Sequence, residues 1–174
     1  MKLSHGSLKR LVAVATAAIV SGLLLAACST PTQPERVTRK EYPYWEKGAG
    51  APEAAEFMKI DVPEGATEVR GAVRVQPQED VYLLSFVTDA KTAESVVDDL
   101  RPDHPLKAVN ATSSLTGDGF KHLGLKLPQD IKGVRMASAC PPCVGDSRRS
   151  HIQAIEIHVG DVAGSRVRVY LAAF

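Results

Sequence analysis

The chain has 174 residues, 44% of them hydrophobic, with 21 basic against 20 acidic side chains and three cysteines. So even a balance excludes the positive field that a nucleic-acid partner requires. The length suits one domain with a sizeable core, and past the N-terminal apolar run no stretch is long enough to span a membrane.

Lys2, Lys9 and Arg10 precede an apolar run from Leu11 to Leu25, broken only by Thr16, Ser21 and Gly22. A charged start, a short apolar core and small residues at its end describe a secretory signal rather than a spanning helix. The ending Leu25-Ala26-Ala27-Cys28 resembles the lipobox of bacterial lipoproteins. That resemblance implies cleavage before Cys28 and a diacylglycerol on its sulfur, so the membrane is a partner through the lipid on Cys28. Two acyl chains, at about 0.8 kcal/mol per buried CH2, anchor stably where one does not. An ordinary signal cut near Ala27 would instead leave Cys28 as a thiol. Without residues 1–27, 18 basic face 20 acidic side chains. Lipidation of Cys28 would leave Cys140 and Cys143 as one pair in an oxidising compartment.

Residues 28–52 are expected to be the lipidated cysteine and a flexible tether, since Ser, Thr, Pro, Gln and charge dominate without periodicity. Tyr42-Pro43-Tyr44-Trp45 lies inside it, either as a docking patch or as aromatics that pack back on the domain and end the tether. The domain is then expected to occupy residues 53–174. Phe57 to Val62 reads as a short strand or extended approach, turned by Pro63-Glu64-Gly65. Val69, Gly71, Val73 and Val75 alternate with Arg70 and Arg74, which predicts a strand with its arginines toward water. Val81 to Val87 is apolar at nearly every position, so this strand is expected in the sheet centre with both faces covered.

Asp89 is the expected N-cap of an amphipathic helix. Ala93, Val96, Val97 and Leu100 form its apolar stripe, and Arg101-Pro102 ends it. Asp98 and Asp99 in its last turn oppose the helix dipole; with Asp103 and His104 they form either a cation or partner site or a solvated acidic face. Leu123, Leu125 and Leu127 predict a strand stopped by Pro128, and Val134 and Met136 a second short one. Ile155, Ile157 and Val159 share one face of a strand, with Glu156 and His158 on the other. Gly160 to Gly164 makes a hairpin loop, and Val167, Val169 and Leu171 return with Arg166, Arg168 and Tyr170 outward.

The chain contains no nucleophile elbow, zincin helix, phosphate loop or dinucleotide glycine pattern. Asn110-Ala111-Thr112 matches a glycosylation acceptor that does not go with a bacterial lipobox. His104, His122, His151 and His158 are the base or ligand candidates, but His151 and His158, seven apart, point to opposite faces of a straight strand. Cys140-Pro141-Pro142-Cys143 has three readings: a thiol-disulfide oxidoreductase, a zinc site completed by His151 or His158, and a structural disulfide. The turn formers Val144 to Ser147 start no amphipathic helix, which favours the disulfide. Polyproline geometry would part the cysteine Cα atoms by about 9 Å, beyond the roughly 7 Å limit for a bond. A tight turn with Pro142 in the cis isomer is therefore expected.

Ile60 to Arg70, followed by Tyr82 to Thr88 and a helix, resembles uncharacterised secreted lipoproteins of high-GC Gram-positive bacteria. The resemblance implies an envelope-tethered α+β domain. The expected fold is a single antiparallel sheet of about five or six strands with one amphipathic helix on one face; an all-β sandwich is the runner-up. The expected function is a non-enzymatic module at the extracytoplasmic face of the membrane that binds a protein, peptide or small ligand, without a cofactor. The rival is a membrane-tethered oxidoreductase using Cys140 and Cys143.

Overall fold

The computed structural model describes residues 41–109 and 117–174. The proposed signal, Cys28 and the Asn110-Ala111-Thr112 sequence lie outside them. The strands are β1 (Tyr44–Trp45), β2 (Thr67–Val75), β3 (Val81–Asp89), β4 (Lys107–Ala108), β5 (Arg135–Ala139), β6 (Ile155–Asp161) and β7 (Arg166–Ala173). Helices are α1 (Ala51–Met58), α2 (Ala90–Asp99), α3 (Gly119–His122) and α4 (Pro141–Val144), with 3-10 turns at Pro128–Asp130 and Ser147–Arg149. The strands form one antiparallel sheet in the order β1-β2-β3-β7-β6-β5-β4, so the fold is α+β. Seven strands replace the expected five or six. The two-residue strands β1 and β4 at the edges are too short to carry a period-two pattern.

The apolar run of β3 places it inside the sheet, between β2 and β7, with Leu83, Leu84 and Phe86 fully buried. Its alternate side chains feed two cores. On the first face Leu84 and Phe86 join Ile155, Ile157, Val169 and Leu171 beneath α1 and α2. Asp89 caps α2 as expected, its carboxylate accepting from the Thr92 amide at 2.9 Å, and Ala93, Val97 and Leu100 are buried.

Helix α1 corrects the expectation of a strand at Phe57 to Val62 and of a tether up to residue 52. Pro52 opens the helix, the Glu53 carboxylate accepts from the Gly50 amide at 2.7 Å, and Lys59 ends it in the left-handed region at φ 53°. Ala54, Ala55 and Met58 are its buried stripe, small enough to escape notice as hydrophobic periodicity. The helix lies so close on β2 that a Cβ at Gly71 would stand 2.5 Å from Ala51 Cα. β2 departs from simple alternation too. A β-bulge between Thr67 and Arg70 shifts the register, and Val69 is 40% exposed.

The second face is covered as well. Val81, Leu83, Tyr170 and Ala172 pack beneath Phe120 and Leu127, with Leu123, Leu125, Ile131 and Trp45 around them. The leucines of 123–127 are therefore part of a cover and not of the expected strand. Gly124 turns left-handed at φ 68°, and the Leu123 and Leu125 amides both donate to Phe120 O. Trp45 stacks on His122 at 3.9 Å, and so packs on the domain.

Behind the first core, Arg149 is fully buried and clamps the ends of both long helices. Its guanidinium donates to Met58 O (2.7 Å) and Lys59 O (2.8 Å) at the end of α1 and to Asp99 O (2.9 Å) at the end of α2. Asp146 Oδ2 at 2.8 Å and Asp99 Oδ2 at 2.5 Å complete its partners. These bonds satisfy orphan carbonyls at two helix C-termini and offset the charge in a dry site.

Candidate functional site

The sequence candidates separate in space. Cys140 and Cys143 form a disulfide with Cα atoms 5.1 Å apart. The tight turn is the single helical turn α4, in which Cys143 N donates to Cys140 O at 2.9 Å. Pro142 is not cis; the cis peptide among the described residues is Tyr42–Pro43. Prolines at the first two helical positions give up only amides that lack an intrahelical partner, so a trans Pro-Pro pair opens the turn without loss. Gly145, at φ 68°, ends it at once. Cys143 is exposed and Cys140 half-buried.

His151 Nε2 lies 3.1 Å from Phe57 O, and His158 is buried against Glu156 Oε1 at 2.5 Å. Neither histidine joins the cysteines. Among the described residues no group of three or more His, Cys, Asp or Glu is placed to hold a metal ion. Asp99 also leaves the proposed acidic cluster: it binds Arg148 at 3.0 Å and Arg149, and these cations explain an acid at a helix C-terminus.

A different group of residues converges on the second face. The outward sides of β6 and β7, expected to meet water, lie partly beneath the cover from Gly117 to Lys132. Glu156 and His158 are 2% exposed and Arg168 is 7% exposed. Register explains the meeting, since His158 is paired with Tyr170 and Gly160 with Arg168 across the hairpin. A Cβ at Gly160 would come within 3.2 Å of Ile131, so the glycine lets the cover approach β6.

Beside this layer a cleft of about 600 Å³ opens, lined by Glu68 and Arg70 from β2, Lys126, Asp130 and Lys132 from the cover, and Arg168 and Tyr170 from β7. Asp161 and Val162 at the end of β6 also line it. Arg70 Nη1 donates to Leu123 O at 2.7 Å and ties the cover to β2. Arg168 Nη2 donates to Glu68 Oε2. That bond, then the charges of Arg168, Arg70 and Arg166, hold the Glu68 carboxyl below the usual carboxylate range. Glu68 itself sits in the β-bulge at φ 49°, a left-handed backbone that costs a residue with a Cβ about 1 kcal/mol or more.

Three buried side-chain atoms among the described residues lack a hydrogen-bond partner: Arg168 Nη1, His158 Nδ1 and Gln129 Oε1. Arg168 and His158 belong to the second face, and Gln129 to the 3-10 turn packed on β6. Unmet buried polar atoms are rare in folded proteins, so their occurrence here sets this face apart from the Arg149 side. Arg168 can take a further oxyanion acceptor; the fork of its guanidinium suits a carboxylate or a phosphate.

Sequence reasoning missed this cleft because Arg166, Arg168 and Tyr170 were read as facing water. The available signal was the register of the closing hairpin, which sets Tyr170 opposite His158 and Arg168 opposite Gly160, on the face that also carries Glu156. Comparison with protein-family models, curated proteins and solved structures returns no match.

Proposed function

We propose that this protein is a lipoprotein held at the extracytoplasmic face of the cell membrane through Cys28, and that its domain is a non-enzymatic binding module using the second-face cleft. The anchor rests on Leu25-Ala26-Ala27-Cys28 and the apolar run before it. The single observation that carries the binding reading is Arg168, which lines the cleft and is 93% buried yet keeps Nη1 without an acceptor. A fold tolerates an unmet buried cationic donor, which costs about 1–3 kcal/mol, more readily where a ligand supplies the acceptor.

Two experiments test this. Cys28→Ala should block lipid attachment and leave less processed protein with membranes; undiminished detergent partitioning of a correctly cut Cys28→Ala product would refute lipidation. A photo-crosslinking side chain at Leu125 in the cleft should yield a discrete adduct in intact cells, absent when the same group is placed at Lys91 on α2. Equal labelling from both positions, or none, would sink the cleft as a binding site. Exposure of Cys143 favours one second reading, a membrane-tethered thiol-disulfide oxidoreductase using Cys140 and Cys143. Insulin reduction that disappears in Cys140→Ser would establish that activity.

A further inference from the structure

Resting on the cleft as a binding site, we infer that its ligand carries a phosphate group and that Glu68 is an internal stand-in for it. Glu68 already holds an anion against the Arg168 guanidinium, in a cleft lining that both share with Arg70. Its hold on that place is loose. The side chain is 53% exposed, the backbone is left-handed at φ 49°, and the strand is bulged there. Strain of this kind persists where function retains it.

Charge decides which anion fits. With Glu68 displaced, the cleft lining brings Arg70, Lys126, Lys132 and Arg168 against Asp130 and Asp161, four cations to two acids. A carboxylate would leave one of the two surplus positive charges uncompensated, whereas a phosphate monoester carries about −1.5 to −2 at neutral pH and balances both. When Glu68 swings toward solvent, an entering phosphate takes Nη2 from it and reaches Nη1, giving the forked pair of bonds that arginine makes to phosphate. The cleft volume of about 600 Å³ leaves room for a small organic group on the phosphate. Asp130 and Asp161, on the cover and at the end of β6, disfavour a second phosphate.

The test is calorimetric titration of the purified protein at constant ionic strength with inorganic phosphate and glycerol phosphate, and in parallel co-sedimentation with vesicles containing phosphatidic acid, whose headgroup is a phosphate monoester. Saturable binding is expected, weakened about tenfold or more by Arg168→Gln and by Arg70→Gln, the loss of one charge-assisted hydrogen bond. Glu68→Gln should tighten it, because the charged competitor is gone. Binding of the free phosphates assigns a soluble ligand; vesicle binding alone, lost in Arg168→Gln, assigns a lipid headgroup. Arg70 is exposed, so its variant keeps the test open if Arg168→Gln does not fold. Absence of saturable binding in both the parent and Glu68→Gln, or binding unchanged by the two arginine variants, overturns the inference. A Leu125 crosslink that persists in that case would show that the cleft binds something other than phosphate.

Discussion

Arg149 and Arg168 are both buried, both lie near an acid, and differ in what surrounds the guanidinium. Arg149 has an acceptor for each of its five N–H donors: three backbone carbonyls and the carboxylates of Asp99 and Asp146. Arg168 has one exposed acid, Glu68, and an unmet Nη1. A saturated buried cation is part of the frame, because any new partner would have to displace an equally good one. An unsaturated cation beside a cleft has capacity left for a ligand.

The largest effect should come from Arg149→Met. The change takes from the buried Asp146 carboxylate one of its two cationic partners, Arg148 being the other, and leaves the carbonyls at the ends of α1 and α2 without their donor, costing about 3–5 kcal/mol. Urea unfolding followed by far-ultraviolet dichroism measures it; a loss under about 1 kcal/mol would mean that water replaces the clamp and that the two arginines are alike.

Acid should act on the same side of the molecule. Hydrogen bonds from Arg148 and then Arg149, outweighing burial, lower the Asp146 carboxyl from its ordinary 3.8 to about 2. Its folded pKa lies below the unfolded one, so its contribution is complete above about pH 4 and is lost as pH falls toward 2. Asp146→Asn should lower stability at pH 6 and flatten the decline between pH 4 and 2. An acid limb of unchanged slope would assign the acid sensitivity to other carboxylates.

Arg168→Met should have the smallest effect on stability, within about 1 kcal/mol. It removes one half-exposed ion pair and one unmet polar atom together. Thermal unfolding of the two methionine variants side by side sharpens the contrast. A loss at Arg168 equal to that at Arg149 would make both of them framework.

Much of the first face was legible in the chain. β3 announced its burial on both sides by an unbroken apolar run, α2 by Asp89 and its stripe, and the closing hairpin by alternation around Gly160 to Gly164. Alanine-rich α1 was missed because its capping lies in a glycine backbone and Glu53, and its buried face is mostly small. The leucines of 123–127 showed a strand's period by coincidence, since Gly124 turns the chain between them.

Local pattern determined which segments extend, which coil and where the polar side chains alternate, because those depend on neighbours within a few residues. The composition of the N-terminal run likewise carried the expectation of lipid on Cys28 with no help from the fold. What covers the outward face of β6 and β7 was decided only by tertiary structure. A polar alternation looks the same whether it meets water or a cover, and only the antiparallel register and the path of residues 117–132 place Glu68, Arg70, Arg166 and Arg168 together. Those residues come from strands nearly a hundred positions apart, and no short-range pattern links them.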